Sequence, residues 1–463
     1  MKPNAYLLLA FSIAASALVG CATTRVKTQA VETGQGDETI APEAPRENAS
    51  IPTSWTSRFG DDTLNALIEE ALDANFGLDA AEAQARAAIA AARISGSLKF
   101  PGLSLGLNSS KQQSRFAFLG FQKIETDTHS LTLGAQWEVD LWSRLSKGHA
   151  AGLASAEAAQ ADVEALKLSL SGQVARAWFN LLEADRQLEL ARESAKALQS
   201  KLASLERRYE RGLTTNLDLR LTRAQNASSQ ALVTRRKTEL ADSKRALEVL
   251  LGRYPSASQE SGHSLPRMEE AIPAGLSSDL VARRPDLLAA ERRLASAIAQ
   301  KDATDRNWLP QIRLTGNTGT TSDEFSQLLE TDLSVWTIAG DVAAPLFSAG
   351  RLKAERDQAD AQMEVQLARY RQAALEAFQE VESALSANTD LEALYRDTSK
   401  AAEENRKAED LAWDQYERGL IDITALLDAQ RRADDSASQL ISVQNLQLQN
   451  RIQLHLALGG DFE

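Results

Sequence analysis

Tyr209-Glu210-Arg211-Gly212-Leu213 decides how this chain is read, because the same five letters return as Tyr416-Glu417-Arg418-Gly419-Leu420, 207 positions later. Each copy ends a long run of helical periodicity at a glycine, the residue that most readily takes the left-handed conformation closing a helix. One turn, used twice at the same stage of a duplicated unit, predicts a tall helical hairpin built twice over.

Upstream of the first copy, Leu181, Leu188, Ala195, Leu202 and Tyr209 recur every seven residues, with Ala177, Ala184, Ala191, Leu198 and Leu205 on the companion positions. That seam predicts one helix from about Ser143 to Tyr209, packed closely and left-handedly on a neighbour. Some 65 residues at 1.5 Å each reach roughly 100 Å. Asn216 to Leu251 returns as a second helix. Before the hairpin, Leu64 to Leu98 reads as an Ala-rich helix capped by Asp61-Asp62. The period then changes to two: Leu103, Leu105 and Leu107 alternate with small polar residues, as do Leu131, Leu133, Ala135, Trp137, Val139 and Leu141. These are strands with one apolar face, and the polar stretch Ser109 to Asp127 is expected as the loop between them.

The second half repeats this order. Leu78, Ala81, Ala88 and Pro101 match Leu287, Ala290, Ala297 and Pro310 at one constant offset. Ile312, Leu314, Gly316 and Thr318 alternate, then Trp336, Ile338, Gly340, Val342 and Ala344. A long helix from Gly350 reaches the second turn, and a return helix ends near Leu458. Its seam (Leu394, Ala401, Ala408, Gln415) is weaker, so only one face of that helix need be tightly packed. The expected organisation is a first repeat over 55–252, with a β-hairpin at about 100–141 and a tip at about 209–215. A Pro-containing linker over 253–278 leads to a second repeat over 279–458, with a hairpin at about 309–346 and a tip at about 416–422. Residues 459–463 form a tail.

A formal net charge of −13 and a pI near 5.1 exclude the basic stripe of a nucleic-acid binder. Lys2 followed by the apolar run Ala5 to Val19 reads as a signal peptide over 1–20, too short to span a membrane. Leu18-Val19-Gly20-Cys21 looks like a bacterial lipoprotein cleavage box, so Cys21, the chain's one cysteine, is expected to carry lipid. Residues 21–54 then form a polar tether. The histidines His129, His149, His263 and His455 are scattered, without metal-ligand spacing, and no phosphate loop follows a strand. Neither cofactor nor catalytic constellation is expected.

Four half-apolar strands leave two unpaired edges, which lipid forbids, so they must close with copies of themselves. With the motifs Phe100-Pro101, Trp137-Glu138-Val139-Asp140-Leu141-Trp142, Arg284-Pro285-Asp286-Leu287, Pro345-Leu346-Phe347-Ser348-Ala349-Gly350-Arg351 and Leu426-Leu427-Asp428-Ala429-Gln430-Arg431, all in this order, the chain resembles TolC-type outer-membrane efflux channels, of the lipid-anchored NodT-type branch. The resemblance covers nearly all of the mature chain. It implies a mostly α fold with a membrane β-barrel: a homotrimer closing twelve strands over a barrel of long helices, anchored in the outer membrane with its helices in the periplasm. It further implies a passive exit duct for drugs, metals or other small toxic compounds, driven by an inner-membrane pump through a periplasmic adaptor.

In such channels the tips meet the adaptor, which transfers docking to Gly212, Leu213, Gly419 and Leu420; the plainer alternative is a glycine that ends a helix and a leucine packed inside the turn. Asp428 matches a position lining the entrance, and Tyr416 and Asp218 match a hydrogen-bonded pair that holds it closed. The family's second acidic position is Ala425 here, with Asp422 as a substitute nearer the turn. A solvated helix face is the plain alternative for all four gate residues, and for Tyr416 also simple packing at the end of the seam. A duct for protein secretion is the nearest rival function, and a periplasmic coiled-coil scaffold or adaptor lipoprotein the rival from another class. The alternating strands argue against the scaffold, which has no use for a lipid-facing band.

Overall fold

Hydrophobic period dictates the elements. The computed structural model describes residues 54–116, 122–262, 264–266 and 283–460. Cys21 with the signal and nearly all of the tether, His263, residues 267–282 and residues 461–463 lie outside these. Three helices open the described chain, α1 (Ser54–Ser57), α2 (Asp62–Ala74) and α3 (Phe76–Ser97), followed by strands β1 (Gly102–Phe116) and β2 (Gln122–Val139). The first long hairpin is α4 (Arg144–Glu210) with α5 (Asn216–Leu250). Then come α6 (Pro285–Asp305), β3 (Gln311–Ser322), β4 (Ser334–Ala343) and the second long hairpin, α7 (Arg351–Glu417) with α8 (Ile423–Ala457). The two long helices have 67 residues each and the two return helices 35, so the duplication runs through both hairpins without a gap.

The strands form one antiparallel sheet in the order β1-β2-β3-β4, in which β2 and β3 join the two repeats. Close approach at that join requires Gly319: a Cβ there would lie 2.0 Å from the Leu131 carbonyl oxygen. The expected loop Ser109 to Asp127 is corrected. β1 and β2 continue pairing until Phe116 faces Gln122. A backbone ladder needs no apolar face; alternation reports only the part of a strand that leaves water, and beyond it both faces are polar.

The single helix expected over Leu64 to Leu98 is also corrected, since it breaks at Asn75. The Asn75 side chain accepts from the amides of Gly77 (2.9 Å) and Leu78 (3.2 Å), capping α3, while its Nδ2 donates to the Leu250 carbonyl at 2.9 Å. A contact 175 residues away thus selects the break. Asp61 caps α2, accepting from Thr63 and Leu64, and also receives the indole N–H of Trp178 at 2.7 Å.

The main core lies where α1 and α2 meet the middle of α4 and the ends of α5 and α8. Trp55, Leu64, Ile68, Trp178, Phe179 and Leu247 are fully buried there. The His455 ring lies 5.3 Å from that of Trp55. After α5, Glu248 is buried and accepts from the amides of Ala257 (2.7 Å), Ser258 (2.6 Å) and Gln259 (3.1 Å), which pins the start of the linker. Burial pushes this carboxyl up, but the three amides and the Ser258 hydroxyl outweigh it and hold it below its ordinary range.

Candidate functional site

Both tips end in the same hydrogen-bond motif. The Gly212 amide donates to the Tyr209 carbonyl (2.9 Å) and the Leu213 amide to the Arg208 carbonyl (2.9 Å). At the second tip Gly419 donates to Tyr416 (3.0 Å) and Leu420 to Gln415 (2.9 Å). This is the paired closure that satisfies the last carbonyls of a helix, and it needs a left-handed residue: φ is +69° at Gly212 and +76° at Gly419. The glycines therefore do end their helices. The leucines do not pack inside the turns, because Leu213 is 63% and Leu420 70% exposed. Each tip presents an apolar side chain to solvent.

The return helices start from side-chain caps at equivalent positions. Thr215 accepts from the Asp218 amide at 3.1 Å, and Asp422 accepts from the Ala425 amide at 2.8 Å and from the Thr424 hydroxyl at 2.6 Å. The Thr424 hydroxyl and the Ala425 amide hold the Asp422 carboxyl below its ordinary range. Capping α8 accounts for an aspartate at this place.

Tyr416 and Asp218 do meet, across 198 residues. The phenol donates to Asp218 Oδ2 at 3.3 Å, and Thr214 Oγ1 donates to the same oxygen at 2.7 Å and lies 3.2 Å from the phenol. Tyr416 is buried among Leu205, Ala412, Ile423 and Leu426, with the Trp413 ring 6.3 Å away. Burial pushes its phenol up, and the Asp218 carboxylate pushes it the same way, so it stays a donor. Burial also pushes the Asp218 carboxyl up, but the bonds from Thr214, Thr215 and Tyr416 outweigh it and hold the carboxyl below its usual range. Thr214 went unnoticed in the sequence: its only signal is its spacing four residues before Asp218, within a turn.

Asp428 stands apart from this triad. It pairs along its own helix with Arg431 (2.5 Å) and Arg432 (2.7 Å), the former lowering its carboxyl most. A bare carboxylate is thus not what this position offers within one chain. The pairs follow i,i+3 and i,i+4 spacing and were legible in Asp428-Ala429-Gln430-Arg431-Arg432.

Above the triad, the seam between α4 and α8 is polar. Asn445 Nδ2 donates to Asn180 Oδ1 (2.8 Å) and Glu183 Oε2 (2.6 Å), and Ser442 donates to Glu183 Oε1 (2.7 Å). Gln187 and Ser438 exchange bonds of 2.9 and 2.8 Å, and Ser194 donates to Asp434 at 2.5 Å. Lower down, Lys201 on α4 pairs with the buried Glu409 on α7 at 2.8 Å and lies 5.3 Å from the Trp413 ring centre. The two repeats are therefore joined by specific hydrogen bonds from the core down to the tip.

Known proteins share this architecture. The family model described as outer membrane efflux protein matches residues 67–253 and 276–460. The pyoverdine export outer membrane protein OpmQ of Pseudomonas putida is 30% identical over 469 aligned residues, covering 100% of this chain and 98% of that protein. The cation efflux system protein CusC of Escherichia coli K12 is 29% identical, with 88% of each chain covered. Among solved structures, the outer-membrane channel OprN superposes with a TM-score of 0.84 at 25% identity, covering 95% of this chain and 99% of that one. A crystal structure of CusC gives 0.82 at 27% identity, covering 93% and 99%. The family model matches both repeats, and the chain belongs to the outer membrane efflux protein family.

Proposed function

We propose that three copies of this chain close one passive duct in the outer membrane, the exit of a tripartite efflux pump. The observation that carries the reading is the open sheet: β1 and β4 each have one paired neighbour, while Leu103, Leu105, Trp336 and Ile338 are 67–80% exposed. In lipid the apolar side chains are at home but the edges are not, and joining β4 of one copy to β1 of the next removes every edge. Three copies make twelve strands, an even number within the known barrel range. Among the described residues no helix is long and apolar enough to cross a membrane.

The repeats 55–252 and 279–458 each contribute one β-hairpin and one helical hairpin, with 253–278 as the linker between them. Lipid on Cys21 anchors the N-terminus. Leu213 and Leu420, held outward by Gly212 and Gly419, dock the periplasmic adaptor, through which the inner-membrane pump supplies the driving force. Tyr416 and Asp218 hold the entrance closed, and Asp428 lines it, with Asp422 adding charge nearer the turn. Relatives are named for pyoverdine, toluene and cations, cargoes of unlike chemistry. A conduit that carries out no reaction on its cargo fits that spread, and the cargo here is a small toxic compound or metabolite selected by the pump.

Native mass spectrometry of the detergent-purified lipoprotein, with planar-bilayer recording, tests the reading. A trimer that conducts is expected. A monomer soluble without detergent and without channel activity overturns it.

A further inference from the structure

The duplication allows the contact between copies to be read from the contact within one. Both hairpins are offset by 207 residues throughout, so each residue of the polar α4·α8 seam has a counterpart on α7 or α5. On the long helices Asn180, Glu183, Gln187 and Ser194 correspond to Ala387, Asp390, Leu394 and Ala401. On the return helices Asp434, Ser438, Ser442 and Asn445 correspond to Ala227, Ala231, Arg235 and Thr238. All of these counterparts except the half-buried Ala387 are exposed in the single chain.

Transferring the observed pairings gives a register. Asn180 with Asn445 becomes Ala387 with Thr238, Gln187 with Ser438 becomes Leu394 with Ala231, and Ser194 with Asp434 becomes Ala401 with Ala227. Glu183 with Ser442 becomes Asp390 with Arg235. A longer acid opposite a short hydroxyl is replaced by a shorter acid opposite a long cation, so the reach across the seam is kept while the bond becomes an ion pair. Arg235 has an exposed carboxylate, Glu239, at 3.6 Å, and its side chain is 66% exposed. At the level of the polar seam α5 and α7 lie on opposite flanks of the set α5-α4-α8-α7, so there the contact joins two chains head to tail and closes as a ring, whereas at the tips α7 meets α5 within one chain through Tyr416 and Asp218.

We infer that α7 packs against α5 of a second copy along a small, largely apolar seam, with Asp390 of one copy paired to Arg235 of the next. This rests on the homo-oligomer proposed above and adds its register. Alternate seams of the tube then differ in kind, hydrogen-bonded within a copy and alanine-lined between copies. The tips differ in the same way. Tyr209 is the counterpart of Tyr416 and is 41% exposed, yet the counterparts of Thr214 and Asp218 are Ile421 and Ala425. The phenol–carboxylate contact exists only within a copy.

Cysteines placed at Asp390 and Arg235 of the full-length chain test the register. Mild oxidation should convert the double variant into a cross-linked ladder up to the trimer on denaturing gels, while Asp390→Cys alone gives none. Asp390→Arg and Arg235→Asp should each lower the melting temperature of the trimer, and combining them should restore most of the loss. Trimers seen by native mass spectrometry but without the cross-link, and without recovery in the double charge swap, overturn the seam and leave the channel reading standing. Absence of any trimer overturns both.

Discussion

α4 and α7 have the same length and begin and end at matching places of a repeated unit, yet α4 buries 22 of its 67 residues and α7 seven. The substitutions that separate them sit at equivalent positions. Trp178, Phe179, Leu181 and Leu182 on α4 correspond to Leu385, Ser386, Asn388 and Thr389 on α7. Burying a large side chain is favourable by about 1.5–3 kcal/mol, so the first set makes α4 the post around which α1, α2, α5 and α8 assemble. The second set makes α7 a wall with a free side. Duplication produced two hairpins; divergence assigned one to the fold of a single chain and released the other for contact with something else.

That contrast can be broken most severely at its centre. Leu181→Ala removes a fully buried side chain and should destabilise the protein by about 2–5 kcal/mol in thermal or denaturant unfolding, while Asn388→Ala at the matching place should stay within about 0.5 kcal/mol. Equal losses at both would show that α7 is as much a core helix as α4.

The next effect is at the ion pair that ties the two long helices together. Lys201→Ala leaves Glu409 buried without its lysine, and a loss of about 1.5–3 kcal/mol is expected, visible as faster protease cleavage near the tips. Arg406, 3.5 Å from Glu409 and largely exposed, compensates only in part.

Smaller still is the tip contact. Tyr416→Phe with Asp218→Ala should raise single-channel conductance in planar bilayers, since about 1 kcal/mol of lost hydrogen bonding shifts the closed–open ratio about fivefold. Ala425→Asp should act oppositely by giving Tyr209 of a neighbouring copy the acceptor it lacks. If both variants conduct like the parent, the difference between the two seams does not extend to the entrance.

The least effect, and the most specific, concerns pH. Burial pushes the Asp434 carboxyl above its ordinary range, opposed by the Ser194 bond and reinforced by Glu409, whereas Asp218 is held below. A carboxyl whose folded pKa is raised binds its proton more readily in the folded state, so stability rises as pH falls from neutral toward the unfolded value near 3.9. A carboxyl with a lowered folded pKa contributes above that value and loses its contribution as pH falls through its folded pKa. Mild acid should therefore tighten the α4·α8 seam, and stronger acid should loosen the Asp218 contact. Asp434→Asn should flatten the first rise and leave the second fall; melting curves from pH 7 to 3 separate the two.

Much of the architecture was legible from local pattern. Period two marked the strands as far as they carry an apolar face, and the heptads marked α4. The two Tyr-Glu-Arg-Gly-Leu turns marked both tips, because helix closure depends on residues within one turn of each other. The Arg partners of Asp428 and the capping role of Asp422 are equally local and could be read at their spacing. What the sequence by itself determined is thus every feature whose cause lies within a few residues. Only the tertiary structure decided that Tyr416 shares the Asp218 carboxylate with Thr214, that Asn75 breaks a helix by reaching Leu250, and that Glu183 bonds Ser442 while its counterpart Asp390 faces outward. Those outcomes depend on which helix lies alongside which. Neighbouring helices are brought together by burial of apolar area, which is non-directional, and the polar partners are then chosen by register, a quantity no single segment carries.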